Sequence, residues 1–212
     1  MAKKLDEYPS AEAFMPKTIS LPALREAAED CHGCPLYKFG TQTVFGEGRR
    51  DSRLIFVGEQ PGDQEDKAGK PFVGPAGQLL DRALEEVGID RSIVYVTNAV
   101  KHFKWEPRGQ RRIHAKPGAR EIQACKPWLT AEIQAIKPEM IVCLGATAAQ
   151  AMLGKDFRIT KSRGQILRDT EWAPWIMATV HPSAILRTSS EDRDAAYNAF
   201  VADLQIAASA MK

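Results

Sequence analysis

Four short apolar runs recur along the chain: Arg53-Leu-Ile-Phe-Val57, Ile93-Val-Tyr-Val96, Met140-Ile-Val-Cys-Leu144 and Trp175–Thr179. They are apolar almost throughout rather than at alternate positions, as strands buried on both faces of a sheet require. Segments with helical spacing separate them. Residues 76–87 form one, with Gly88 as its C-cap. Residues 118–136 form another, with Ile122, Trp128, Leu129, Ile133 and Ile136 on its apolar side and Pro138 marking its end. Shorter helices are expected at 21–30, where Ser20 is the N-cap and Pro22 follows it, and at 147–153. A closing amphipathic helix is expected at 191–210, and a less regular stretch at 154–174 holds an edge strand near 165–167. Strands alternating with helices predict an α/β fold: a single-domain three-layer sandwich with a central, mostly parallel four-stranded sheet flanked by helices. Residues 1–19, broken by Pro9 and Pro16, read as an N-terminal arm to a domain at 20–212.

Polar groups gather where the predicted strands end. The stretch GEQPGDQEDKAGKPFVGPAG at 58–77 follows the first strand and holds five glycines and three prolines. A loop this rich in turn residues and functional groups reads as a site. Asn98 follows the second strand and His181-Pro-Ser183 the fourth. In a parallel sheet these ends share one edge, so one cleft can collect all three. An asparagine amide there either caps a turn or reads a nucleobase edge, since it offers both donor and acceptor. A histidine before proline is placed to donate to a developing anion. Phe72, between Pro71 and Gly74, is a stacking surface or a core residue.

A hydrophobic fraction of 44% and a net charge of +2 describe an ordinary, nearly neutral chain and name no partner. The charge is clustered, however. In 100–120 lie Lys101, Lys104, Arg108, Arg111, Arg112, Lys116 and Arg120 against the single acid Glu106. Such a tract reads as phosphate contacts or as a solvated loop. His114 lies inside it and, surrounded by cations, is expected to stay uncharged and nucleophilic. No run is long and apolar enough to span a bilayer, and the first residues lack the apolar core of a signal peptide. The expected setting is cytoplasmic, without a membrane partner, and nothing calls for more than a monomer.

Of the four cysteines, Cys143 sits in an apolar run and reads as core. Cys31-His-Gly-Cys34 has the close spacing of a metal or redox pair. Cys125 supplies a third thiolate, and His102 and His32 are both candidates for a fourth ligand. Zinc and iron–sulfur fit equally.

Taken together, GEQPGDQEDKAGKPFVGPAG, VTNAVKHFK at 96–104, RRIH at 111–114 and HPS at 181–183 resemble the uracil-DNA glycosylase superfamily. The likeness is to its iron–sulfur branch, family 4, and within that to the UdgX type, over nearly all of the chain from Cys31. The resemblance implies a [4Fe–4S] cluster on Cys31, Cys34, His102 and Cys125, with His102 standing where family 4 has cysteine. It implies that Phe72 stacks on a flipped uracil, Asn98 reads its edge, His181 donates to O2, and backbone N–H groups at Gln60 and Asp63 hold the base. Lys101, Lys104, Arg108, Arg111, Arg112, Lys116 and Arg187 would contact DNA, preferentially single-stranded, from which the base is reached more easily.

In the classical branch a carboxylate one position after that of Glu59 orients the attacking water. Here Gln60 stands there and cannot act as a base. The resemblance then implies that His114 attacks C1′ of the deoxyribose, with Glu59 assisting, and that the protein is trapped as a covalent adduct. Gln110, where UdgX proteins usually have lysine, is a small departure. The alternatives are a turnover glycosylase releasing abasic DNA and a non-catalytic iron–sulfur DNA-binding protein. A generic nucleotide-binding fold lacks support, because no GxGxxG or GxxxxGK[ST] pattern follows a strand.

Overall fold

The computed structural model describes residues 8–211. In chain order its elements are α1 (Leu21–Glu29), β1 (Leu54–Gly58), α2 (Asp63–Ala68), α3 (Pro75–Glu86), β2 (Val94–Asn98), β3 (Trp105–Arg108), β4 (Arg111–His114), α4 (Ala119–Ile136), β5 (Met140–Leu144), α5 (Ala146–Leu153), α6 (Ile159–Ser162), β6 (Leu167–Arg168), β7 (Trp175–Thr179), α7 (Pro182–Arg187) and α8 (Arg193–Ala210). The main sheet runs β2-β1-β5-β7-β6. Its first four members are parallel, and β6 pairs antiparallel with β7 at the edge. The sheet therefore has five strands rather than four: the edge strand expected near 165–167 forms at Leu167–Arg168 and joins it.

Side chains alternate across each strand, so each apolar run feeds two cores. Ile55, Val57, Tyr95, Ile141, Cys143 and Ile176 face one layer, built with α1, α4 and α5. Leu54, Phe56, Val96, Val142, Leu144 and Met177 face the other, built with α3 and α8. Parallel pairing aligns Gly58 of β1 with Asn98 of β2 and Leu144 of β5 with Thr179 of β7. The polar residues that end these strands thus reach one rim.

Residues 100–117, expected to be a long polar loop, contain two paired strands. β3 and β4 form a separate antiparallel hairpin that sets Trp105 opposite His114 and Arg108 opposite Arg111. Gly109, at φ +59°, supplies the left-handed residue in its turn. The described part of the expected arm lies against the body: Ala11 is buried, and Ser10 N–H donates to the Gly33 carbonyl at 3.0 Å. Residues 1–7 of that arm fall outside the described residues.

One buried ion pair ties the rim to the helical layer. Lys101 and Glu132 are both 0% exposed. Lys101 Nζ donates to Glu132 Oε2 at 2.5 Å, to Thr97 Oγ1 at 2.6 Å and to the Asn98 carbonyl at 2.8 Å. Glu132 Oε1 also accepts from Tyr95 OH at 2.9 Å and Gly46 N–H at 3.1 Å. Every donor and acceptor of the pair is used, as a charge in a dry interior requires. Lys101 therefore cannot reach DNA: the expected phosphate contact is a buried strut under Asn98. Replacing one partner alone, as in Glu132→Gln or Lys101→Met, leaves a buried charge unbalanced. We expect a loss of about 3–5 kcal/mol in urea unfolding, with much of it recovered in the double variant Lys101→Met/Glu132→Leu.

Candidate active site

The rim opposite the strands' amino ends collects Glu59, Asn98, Thr147 and His181 around Phe72. Gly58 makes this crowding feasible: a Cβ there would collide with Asn98 Oδ1 and stand 2.9 Å from Phe72 Cζ. Phe72 itself adopts φ +57°, a left-handed conformation unusual for an aromatic residue. Gly77 permits it, since a Cβ at that position would overlap the Phe72 carbonyl. Glu65 closes the same loop, accepting from Gly62 N–H at 3.1 Å and Gly74 N–H at 2.7 Å. The result is a fixed aromatic wall: the Phe72 and His181 rings lie 24° from parallel, with centroids 6.2 Å apart.

Asn98 is 3% exposed, with its backbone carbonyl held by Lys101. Among the described residues its side-chain amide has no hydrogen-bond partner, leaving donor and acceptor for a ligand. His181 is the N-cap of α7, and its Nδ1 accepts from Ser183 N–H at 3.1 Å. That acceptor role places the proton of the neutral ring on Nε2. Burial is the main reason its pKa is pushed down to about 4; Arg187 and His114 add to this, and Glu59 opposes it.

The hairpin brings His114 to the rim. Its Nε2 lies 3.2 Å from Glu59 Oε1, with side chains 50% and 20% exposed. The ring also sits 6.3 Å from that of Phe103. The expectation that cations surround His114 is corrected: its nearest charged partner is an anion. Burial alone would raise the Glu59 pKa. Hydrogen bonds with His114 and Thr147 and the charges of His114 and Lys116 outweigh it, holding the carboxyl below its ordinary value. Glu59 is thus ionised near neutral pH and accepts from His114.

Gln60 is engaged elsewhere. It is 7% exposed, and its Nε2 donates to the Lys104 and Ala115 carbonyls, each at 3.1 Å. Its Oε1 accepts from Lys104 N–H at 3.1 Å. One amide thereby brackets both feet of the hairpin. Its side chain is committed to that role. Asp63 opens α2, with its carboxylate against Arg112 and Lys67.

The basic residues divide into two groups. Arg112 Nε meets Asp63 Oδ1 at 2.6 Å, and its Nη1 meets the fully buried Asp66 Oδ2 at 2.6 Å. Lys104 Nζ meets Glu121 Oε2 at 2.8 Å. These two cations are paired within the protein. Arg108 and Arg111 are exposed at the hairpin turn, and Lys116 and Arg187 are exposed beside the rim. Lys116 acts on Glu59 and Arg187 on His181 through charge, so both flank the pocket.

Cys31, Cys34 and Cys125 are buried, as is His102 at 5% exposure. Two N–H groups point at their sulfurs: Trp128 Nε1 lies 3.2 Å from Cys31 Sγ and Lys101 N 3.3 Å from Cys125 Sγ. A buried indole N–H needs an acceptor, and a thiol is a poor one while a metal-bound thiolate is good. Desolvation pushes the Cys34 pKa to about 11 and the Cys125 pKa to about 12, so these sulfurs ionise only with a cation beside them. His102 is neutral, burial driving its pKa down to about 4, and its Nε2 is 3.0 Å from Thr43 Oγ1. Among the described residues no three such side chains converge closely enough for a single metal ion. Cys143, paired with Met152 Sδ at 3.6 Å, is a core residue.

A strained aromatic wall, an unpartnered amide, an Nε2–H imidazole and a carboxylate–imidazole pair thus share one rim of the parallel sheet. The chain belongs to the uracil-DNA glycosylase superfamily, whose family model matches residues 45–205. The type-4 uracil-DNA glycosylase of Thermotoga maritima is 44% identical over 168 residues, covering 79% of this chain and 83% of its own. Those of Pyrobaculum aerophilum and Sulfurisphaera tokodaii are 37% and 38% identical over 80% and 79% of this chain, and 86% and 76% of their own.

Two outcomes follow from this geometry. Gln60→Glu removes both donors and sets a carboxylate against two carbonyl oxygens. Hydrogen exchange should then show lost amide protection across 105–115 with the sheet core unchanged. His181 takes up a proton near its ordinary value of 6.5 when unfolded but only near 4 when folded. Unfolding therefore binds a proton between these values, and stability falls as pH drops from about 6.5 toward 4. His181→Asn should flatten part of that slope in thermal melts.

Proposed function

We propose that this protein excises uracil from DNA and captures the resulting sugar through His114. The observation that carries the reading is the contact between His114 Nε2 and Glu59 Oε1 at the mouth of the base pocket, together with the commitment of Gln60 to the hairpin. The uracil base leaves the stack and enters between Phe72 and the Asn98 amide, which pairs with the base's donor and acceptor edge. His181 Nε2–H donates to O2. As the glycosidic bond breaks, its electron pair passes to the base, and the neutral imidazole donor stabilises the uracil anion. The deoxyribose is left with oxocarbenium character at C1′. The His114 imidazole lone pair forms a C1′–N bond. The positive charge gained by the ring is offset by the ionised Glu59 carboxylate beside it.

Backbone N–H groups at Gln60 and Asp63 help hold the base. Arg108, Arg111, Lys116 and Arg187 contact phosphates around it. Single-stranded DNA is the favoured substrate because no pairing or duplex stacking has to be broken. Cys31, Cys34, His102 and Cys125 would hold a [4Fe–4S] cluster, which would tie the segment after α1 to the base of α4. Lys101 N–H and Trp128 Nε1–H, which lie against Cys125 Sγ and Cys31 Sγ, would stabilise the charge of the ligating thiolates. The protein acts as a monomer in the cytoplasm; among the described residues no helix is long and apolar enough to cross a membrane.

An ordinary turnover glycosylase is the second reading. It is favoured by the 20% exposure of the Glu59 side chain, which leaves an ionised carboxylate within reach of water. Denaturing gels with a uracil-containing single-stranded oligonucleotide separate the two. Wild type is expected to give a band that survives denaturation, and His114→Ser to abolish it. Release of abasic DNA over many turnovers without that band would overturn capture.

A further inference from the structure

Glu59 meets His114 through one carboxylate oxygen. The other, Oε2, accepts a hydrogen bond from the hydroxyl of Thr147. A carboxylate held in its ionised form has no proton to give, so the direction is fixed and Thr147 donates. Thr147 is the second residue of α5, the helix that starts as β5 ends, and it is 6% exposed. Its backbone position is tightly set. Gly145, at φ +90°, turns the chain into α5, and a Cβ on it would stand 3.1 Å from His181 Cβ. The hydroxyl is carried on a β-branched side chain with few rotamers.

Glutamate by contrast has three rotatable bonds. With Oε2 unpinned, its carboxylate could turn toward Lys116 or outward to water and leave the imidazole. The charged and titratable groups that act on Glu59 are His114 and Lys116 from the hairpin side and His181 from the end of β7. None of these contacts Oε2 from the α5 side.

We infer that Thr147 is a positioning residue for sugar capture: by pinning Oε2 of Glu59 it holds Oε1 against His114. This rests on the proposed role of His114. Thr147 touches neither the base nor the sugar in this scheme and acts only through the carboxylate. Its hydrogen bond is also one of the interactions that keep Glu59 ionised, so its loss moves the acid limb of the reaction as well as the rate.

The test is single-turnover capture of a uracil-containing single-stranded oligonucleotide, followed on denaturing gels across pH. The proteins are wild type, Thr147→Val, Thr147→Ser, Glu59→Gln and the double variant Thr147→Val/Glu59→Gln. Valine keeps the shape and removes the donor; Thr147→Ala takes its place should valine not be accommodated, with melting temperature reporting the fold. We expect Thr147→Val to slow capture about ten- to a hundredfold and to shift its acid limb to higher pH. Thr147→Ser should recover most of the rate, and Thr147→Val should add nothing in the Glu59→Gln background. A wild-type rate and acid limb in Thr147→Val, or a full additional loss on top of Glu59→Gln, would overturn the inference. Wild type that forms no adduct fails the capture reading itself, and the role of Thr147 falls with it. Wild-type capture that is indifferent to Thr147→Val fails the inference alone.

Discussion

A single side-chain amide sets the geometry of this site. Gln60 gives two hydrogen bonds to the Lys104 and Ala115 carbonyls and takes one from Lys104 N–H. An amide satisfies all three at once, and a carboxylate would satisfy only the last. The bracket fixes where the β3–β4 hairpin leaves and rejoins the body. His114, the last residue of β4, lies one residue from the clamp. Adjacent Glu59 points the other way, toward His114 and Thr147. The amide that holds the feet of the hairpin therefore also fixes where His114 stands beside Glu59.

The hairpin has a second anchor. Arg112 reaches the carboxylates of Asp63 and Asp66, and Asp66 in turn accepts from Thr41 N–H at 2.8 Å and Thr41 Oγ1 at 2.7 Å. Three otherwise separate segments are joined there: the loop after the Cys31–Cys34 pair, the short helix of the glycine-rich stretch, and the hairpin. On the opposite side, Lys101 links the Asn98 carbonyl to Glu132 of α4 while its own N–H faces Cys125 Sγ. Asn98 and His114 thus sit on charged, paired supports, fully buried at Lys101 and Glu132 and partly exposed at Arg112 and Asp63. Such pairs contribute little net stability but penalise every misplacement of either partner.

The sheet was legible because its strands are uniformly apolar and its helices periodic, and both signals are local. The rim residues Glu59, Asn98 and His181 could be read for the same reason, since topology alone brings strand ends together. The hairpin was not legible. Trp-Glu-Pro-Arg and Arg-Arg-Ile-His show no apolar alternation, and their pairing is enforced by Gln60 and Arg112 contacts to distant residues. Basic residues misled for a related reason. Sequence shows a run of cations, but whether each is solvated depends on acids far along the chain: Glu132 for Lys101, Asp63 and Asp66 for Arg112, Glu121 for Lys104. Gln60 was legible as the loss of a base; its positive role needed the position of the hairpin. Thr147, in a Gly-Ala-Thr turn after an apolar strand, carried only the faint signal of a hydroxyl at a strand end.

Capture by His114 is the central claim, and peptide mapping by mass spectrometry tests it most directly. The protein is incubated with a short uracil-containing single-stranded oligonucleotide, digested with protease and nuclease, and its peptides are fragmented. A deoxyribose-derived mass on the His114 imidazole, with one equivalent of free uracil per protein, is the predicted result. Unmodified His114 with uracil released in large excess over protein would contradict the account.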